Sequence, residues 1–287
     1  MFFIVGIVTV IACVLGGYVA MGGKLYVLWQ PFEFVIIAGA AIGAFVVGNP
    51  KSVLVRTVGA LGKLLKGSKY DKNAYLELLS LQFAIFKLAK SKGMLALEPH
   101  VEDPHNSDLF KKFPIIHGDH HALEFLCDYL RMMILGSENP FEMETLMDEE
   151  IETRHSEEMQ IANAIQSMAD ATPALGIVAA VLGVIKTMGS ITEPPEVLGK
   201  LIGGALVGTF LGVLLAYGFF GPMASSLKQT YDAEIKYLQC IKVGLLAHMQ
   251  GNAPAVSVEF ARKALLEDVR PSFIEVEEAT ENAPSLA

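Results

Sequence analysis

Four uncharged runs dominate the hydrophobic pattern of the chain and predict four membrane-crossing helices. They cover residues 2–24, 33–51, 170–186 with a tail to Glu193, and 200–228. A helix needs about 20 apolar residues to cross the hydrocarbon core. The first and fourth runs meet that length outright. The second and third do so with Glu33 and Lys186 at the interface, where their side chains snorkel. The spans are therefore placed at 1–22, 32–50, 170–191 and 200–224. The first run has no basic leading segment and no small-residue cleavage site, and a second span follows closely, so it is expected to stay as a span.

The rest of the pattern is helical too. Leu76, Leu79, Phe83, Phe86 and Leu88 recur at mixed spacings of three and four, and 123–135 and 143–164 carry similar stripes. No strand alternation stands out. The expected fold is all-α: four spans, a helical domain over 51–169, and a C-terminal helix and tail over 225–287.

Composition agrees with a bilayer setting. The chain is 52% hydrophobic and 18% charged, with a mean hydropathy of +0.44, which is too apolar for two soluble domains. Its net charge of −9 argues against nucleic acid, which needs a basic surface. Cys13, Cys127 and Cys240 lie too far apart to suggest a disulfide framework or a cysteine metal site.

Basic residues set the orientation. Lys51, Arg56, Lys63, Lys66, Lys69 and Lys72 follow the second span, and Lys228, Lys236 and Lys242 follow the fourth. The two short connectors hold only Lys24 and the Lys186/Lys200 pair. Basic loops stay in the cytoplasm, so both large polar segments and both termini are expected there, in a bacterial inner membrane.

The spans are rich in small residues: Gly204, Gly208, Gly212 and Ala216, Gly39 with Gly43, and Gly176, Ala180 and Gly183. Such stripes let helix backbones approach, within one chain or between subunits. No Asp, Glu, His or Arg occupies a central portion of a span, so no buried titratable group is expected here to carry a proton. A self-sufficient pump is disfavoured. There remain the hydroxyls of Thr9, Tyr18, Thr187, Thr209 and Tyr217, and two prolines, Pro173 and Pro222, each of which frees a carbonyl one turn back.

Charge in the cytoplasmic part is segregated. Residues 51–92 hold nine bases and two acids, and 138–158 hold nine acids and one base. Such blocks form solvated faces, pair with each other, or dock a partner. His117, His120 and His121, with His100 and His105 upstream, match no structural zinc spacing, and no metal is assigned to them. The chain also lacks G-x-S-x-G, P-loop and dinucleotide motifs, so no enzymatic chemistry is expected, and the membrane potential is the obvious energy source.

Several stretches together resemble a known family. They are Gly16-Gly-Tyr-Val-Ala-Met-Gly-Gly23 with Leu28-Trp-Gln-Pro31, Pro173-Ala-Leu-Gly-Ile-Val-Ala-Ala-Val-Leu-Gly183, Ala205-Leu-Val-Gly-Thr-Phe-Leu-Gly-Val-Leu-Leu-Ala-Tyr-Gly218 with Pro222, Met147-Asp-Glu-Glu-Ile-Glu-Thr153, and Arg270-Pro-Ser-Phe273. In order and spacing, from Met1 to about Glu278, they resemble the MotA family of flagellar-motor stator subunits. The related ExbB and TolQ proteins share the coupled architecture but lack these motifs. An ExbB/TolQ-like energiser of an envelope system without a rotor is the alternative.

The resemblance implies a ring of five copies around two copies of MotB, a single-span subunit with a peptidoglycan-binding domain that supplies a membrane aspartate. Ion passage past that aspartate would turn the ring and, through it, the rotor protein FliG. Pro173 and Pro222 match the family's functional prolines, and Thr209 matches the hydroxyl on the ion path, a set that also takes in Ala180 and Tyr217. Rotor contact falls to Glu98, to Lys90 where arginine is common, and to the acidic run with Glu150. Lysine keeps the charge of arginine but loses its bidentate fork. The expected ion is the proton. Thr209 sits in a Val-Gly-Thr-Phe-Leu-Gly setting that looks like the proton-driven members, whereas sodium needs several oxygen ligands together. No cofactor is expected.

Overall fold

The structure, a computed structural model, describes residues 2–67 and 69–281, with no strand among them. Met1 of the first expected span and 282–287 of the tail lie outside the described residues, as does the side chain of Lys66 in the basic run. The helices are α1 Phe2–Ala20, α2 Leu25–Leu28, α3 Pro31–Gly48, α4 Lys51–Lys66, α5 Lys72–Lys92, α6 Glu98–Glu102, α7 Pro114–His117, α8 His120–Ile134, α9 Pro140–Met188, α10 Pro195–Leu215, α11 Gly221–Met249, α12 Pro254–Lys263 and α13 Phe273–Glu281. They fall into two units: the chain up to Gly67 with Glu157–Thr230, and Ser68–Ser156 with the chain from Tyr231 onward.

The first unit holds all four spans. α1 and α3 cover the first two expected runs, and the apolar part of α9 and of α10 cover the others. The window Phe3–Ala20 buries none of its residues against the rest of the chain. Val8, Ile42 and Val47 are likewise exposed. Aliphatic surface of this extent requires lipid or other subunits to cover it.

Two helices run through the boundaries expected from hydropathy. α9 is a single helix across 169/170, and α10 continues through a π turn, Ala216–Phe220, into α11 across 224/225. The reason is that hydropathy and helicity are separate properties: 138–169 is acidic but rich in good helix formers. Pro173 sits inside α9 without ending it. Pro222 lacks the N–H that would bond the Gly218 carbonyl, and the chain widens into the π turn immediately before it.

The second unit is organised around α5. Asp71 caps it by accepting from the Ala74 N–H at 2.9 Å, and Gly93 closes it at φ 84°. Leu78, Leu79, Leu81, Ile85 and Phe86 are fully buried, with α12 and α13 against the helix. Tyr237 of α11 stacks on Tyr70 with ring centroids 4.0 Å apart and tilts against Tyr75 at 5.4 Å. α13 is seated by a capping box: Ser272 Oγ accepts from the Glu275 N–H at 3.2 Å, and Glu275 Oε2 accepts from the Ser272 N–H at 2.7 Å. Lys72 then bonds Glu275 Oε1 at 2.7 Å, and with Ser272 this holds the Glu275 carboxyl down at about 2.

Candidate functional site

The first candidate site is the crossing of α9 and α10, which run antiparallel with almost nothing between their backbones. A Cβ on Gly176 would lie 2.8 Å from the Gly208 carbonyl oxygen, and one on Gly183 would lie 2.7 Å from the Ala205 Cβ. A Cβ on Gly208 would lie 3.0 Å from the Ala179 Cβ and 3.1 Å from the Ala180 nitrogen. Gly176, Ala180 and Gly183 thus meet Gly208, Gly212 and Ala205 of α10 within one chain, whereas a Cβ on Gly204 would meet the Gln30 side chain and Gly39 and Gly43 have open space where a Cβ would project.

Of the expected ion-path residues, Ala180, Thr209 and Pro173 lie at or beside this crossing, and Tyr217 and Pro222 lie further along the chain in and after the π turn. Ala180 packs against Gly208 from α9, and Thr209 is half-buried on the next position of α10. Thr9, Thr172 and Thr187 each donate to the carbonyl four residues back in their own helices. Thr209 makes no hydrogen bond among the described residues, so its hydroxyl is available to another molecule. Pro173 is half-buried beside Thr172, whose Oγ1 bonds the Met168 carbonyl at 2.6 Å. Tyr217, in the π turn, is 72% exposed, and Pro222 is exposed as well.

Glu33, in the first turn of α3, lays its carboxylate against the same crossing. A Cβ on Gly208 would come within 3.2 Å of Glu33 Oε2, and one on Gly183 within 3.7 Å of Oε1. Oε2 is out of solvent and accepts no hydrogen bond from the described residues. The missing side chains of Gly183 and Gly208 leave the room it fills. Glu33 thus places a half-buried carboxylate beside the crossing, at the end of its span and outside the central portion.

The second candidate site is the charged surface. Lys90, in the last turn of α5, and Glu98, opening α6, are both exposed and form no ion pair among the described residues. Glu150 is partly engaged: its Oε2 accepts from the Tyr129 hydroxyl at 2.6 Å. Within the Met147–Thr153 motif, Met147 is fully buried, Ile151 is 4% exposed, and Asp148 bonds Lys242 at 2.7 Å. That motif is partly a packing element. The two opposed charge blocks do pair in places, as Arg56 with Glu157 at 2.9 Å. Arg270-Pro-Ser-Phe273 is structural too: Arg270 bonds the Leu265 carbonyl, and the Pro271 carbonyl accepts from Arg262 at 2.9 Å.

Titratable groups in the second unit are spread through its core. Burial pushes the Asp119 carboxyl up, but hydrogen bonds from Lys69 and Tyr70 outweigh it and leave it below its usual range. Burial, reinforced by Lys90, lowers His248, which stacks on Phe86 at 4.5 Å. Against the spacing argument, the fold gathers His105, His117, His120 and His121 on one face. Sequence spacing could not show it, because one of these histidines comes from a turn and the others from α7 and α8.

Comparison with known proteins places this geometry. Residues 4–93 match the family described as motility protein A N-terminal, and 119–240 match the MotA/TolQ/ExbB proton channel family. Over 278 residues the chain is 47% identical to motility protein A of Salmonella typhimurium, covering 97% of this chain and 94% of that protein. It is 34% identical to chemotaxis protein LafT of Vibrio parahaemolyticus, covering 95% of each. Among solved structures, the flagellar MotAB stator complex of Bacillus subtilis matches with a TM-score of 0.71 at 25% identity, covering 92% of this chain and 94% of that one. The C. jejuni MotAB structure shares the fold, with a TM-score of 0.78 at 22% identity over 93% and 96% of the two chains.

Proposed function

The chain belongs to the motility protein A branch of the MotA/TolQ/ExbB proton channel family, and from that premise we propose how its residues divide the work. It is a stator subunit of the bacterial flagellar motor, an integral membrane protein with a non-enzymatic role. It sits in the inner membrane with both termini in the cytoplasm, and five copies surround two copies of a MotB-type single-span subunit. That partner supplies the carboxylate that exchanges the ion, and the ion is the proton.

In this reading the α9–α10 crossing is the rigid wall of the ion path. Its backbones are in contact, so a change of charge beside it shifts the two helices together. Thr209 offers the uncommitted hydroxyl, Ala180 keeps the wall thin, and Pro173, Tyr217 and Pro222 mark the points where helical hydrogen bonding is interrupted or widened. Lys90, Glu98 and the acidic face with Glu150 present charge to the rotor protein FliG. The match of residues 4–93 to a motility-specific family supports the motor over an ExbB/TolQ-like energiser.

The observation that carries the proposal is the 47% identity sustained over 97% of the chain, spans and cytoplasmic part alike. Proton flux into liposomes tests it. The purified chain alone is expected to conduct nothing measurable, and the chain co-purified with its single-span partner is expected to conduct. Robust flux from the chain alone would overturn the division of labour.

A further inference from the structure

We propose that His105, His120, His121 and Glu124 form a binding site for a divalent transition cation of the zinc type. The ligating atoms of His120, His121 and Glu124 all lie within 4.8 Å of one another. The His105 ring approaches the same place from the turn after α6, its centroid 5.8 Å from that of His120. His117 steadies this turn, with its Nε2 3.1 Å from the His105 carbonyl oxygen. His105, His120 and Glu124 also line a cavity of about 250 Å³, with Asp128 and Arg131 in its wall.

The donor set selects the cation. Three imidazoles and a carboxylate suit zinc, copper or nickel, whereas magnesium and calcium require oxygen shells. Zinc bonds to nitrogen and oxygen at about 2.0–2.2 Å, so the ligating atoms must draw in to about 3.3 Å from one another. His120, His121 and Glu124 are exposed, and staggered rotamers of exposed side chains interchange at little cost. His120 Nδ1 already stands 3.4 Å from Glu124 Oε2, one helical turn on. The other nearby groups are committed elsewhere. His100 bonds Ser107 at 2.9 Å, Asp119 holds Lys69 at 2.7 Å, and Arg131 bonds Glu102 and Asp128. Cys127 lines the cavity, but it is buried and its thiol is not among the ligating atoms that His120, His121 and Glu124 bring together. A bound cation ties the His105 turn to the first turn of α8.

The site is independent of ion conduction, and its test is direct binding. The full chain, co-purified with its partner in detergent, is titrated with Zn²⁺ against a chromophoric chelator and separately with Co²⁺ for its visible absorption. One Zn²⁺ per chain is expected, with a Kd on the order of 1 µM. Affinity should fall at least about tenfold in His120→Ala and in His121→Ala and less in Glu124→Gln, and His155→Ala, which removes only the His155–Asp232 contact, should leave it intact. Zn²⁺ should raise the melting temperature of the wild type and not of the His120→Ala/His121→Ala double variant. The inference is overturned if wild type and double variant bind Zn²⁺ equally, if binding follows His155 instead, or if Co²⁺ shows only its aqueous spectrum.

Discussion

Gly176 and Gly212 meet backbone to backbone: a Cβ on Gly212 would fall 2.8 Å from the Gly176 Cα, and one on Gly176 would fall 2.9 Å from the Gly212 Cα. In lipid no hydrophobic force drives helices together, so closeness of approach itself supplies the attraction. Gly212→Val or Gly176→Val must push the helices apart, at a cost of about 1–3 kcal/mol or more. Both variants are expected to lose the assembled membrane complex on native gels, and with it motility. Gly39→Ala meets open space within the chain and is expected to leave the subunit's own fold intact. Normal assembly of Gly212→Val would sink the account of the crossing.

The prolines and Thr209 separate packing from coupling. Pro173→Ala restores one backbone hydrogen bond in α9, and Pro222→Ala removes the reason for the π turn, so neither harms folding. Both variants are expected to insert and assemble normally yet swim poorly on soft agar. Thr209→Val keeps the side chain's shape and deletes its uncommitted hydroxyl. Reduced motility at normal protein level is expected. Unchanged motility and ion preference would remove Thr209 from the site.

How much of this could be read beforehand depended on whether the signal was local. The four spans were legible because twenty uncharged residues have few other homes, and α5 and α8 were legible from their leucine and phenylalanine stripes. The ends of α9 and α11 were not, because polarity changes sharply near Asp170 and Lys228 while the helix continues. The packing partners of Glu33 were not legible because Gly183 and Gly208 lie more than a hundred residues away in the chain. The histidine face was missed for the same reason. Arg270-Pro-Ser-Phe273 was recognised as a motif, but only the Arg262–Pro271 and Arg270–Leu265 bonds explain it as a fold element.

Asp119 anchors the start of α8 and gives the second unit an acid-sensitive element. Its Oδ2 accepts from Lys69 at 2.7 Å and from the Tyr70 hydroxyl, and its Oδ1 caps the Ala122 N–H at 3.4 Å. The folded carboxyl lies below its ordinary value of 3.8. A lowered folded value means the contribution is fully present above the unfolded value and is lost as pH falls through the folded one. Asp119→Asn is expected to destabilise the protein by about 1–3 kcal/mol at neutral pH. The gap to wild type in denaturant melts should close as the pH drops below about 4. A gap independent of pH would show that the carboxylate charge is not what matters.

Glu150 is an acid of the exposed face whose carboxylate has an internal bond to serve, from the Tyr129 hydroxyl. Glu150→Gln weakens the bond from Tyr129 and is expected to cost about 1 kcal/mol. If its role is this bond, Tyr129→Phe should lower the melting temperature to a similar extent, with motility unchanged in both. A motility defect in Glu150→Gln alone would return the residue to the rotor-facing set.

Lys90 and Glu98 are the residues on which the rotor contact is best tested, since neither forms an ion pair among the described residues. Each also suits its own helix, a base in the last turn of α5 and an acid at the start of α6, which a purely local role would explain equally well. Charge reversal distinguishes the two. Exposed pairs are each worth about 0–1 kcal/mol and are screened over roughly 8 Å at physiological salt, so neutralising either residue should cost little. Lys90→Glu or Glu98→Lys turns attraction into repulsion and should impair swimming more than Lys90→Ala or Glu98→Gln. A local helix effect would instead appear as a lower melting temperature that no change in the rotor could repair. The expected result is normal stability, normal membrane localisation and proton flux, reduced swimming, and rescue by a matched charge reversal on the rotor. Failure of every rotor reversal to rescue, with stable and conducting mutants, would move the contact to the acidic run around Asp148 and Glu152.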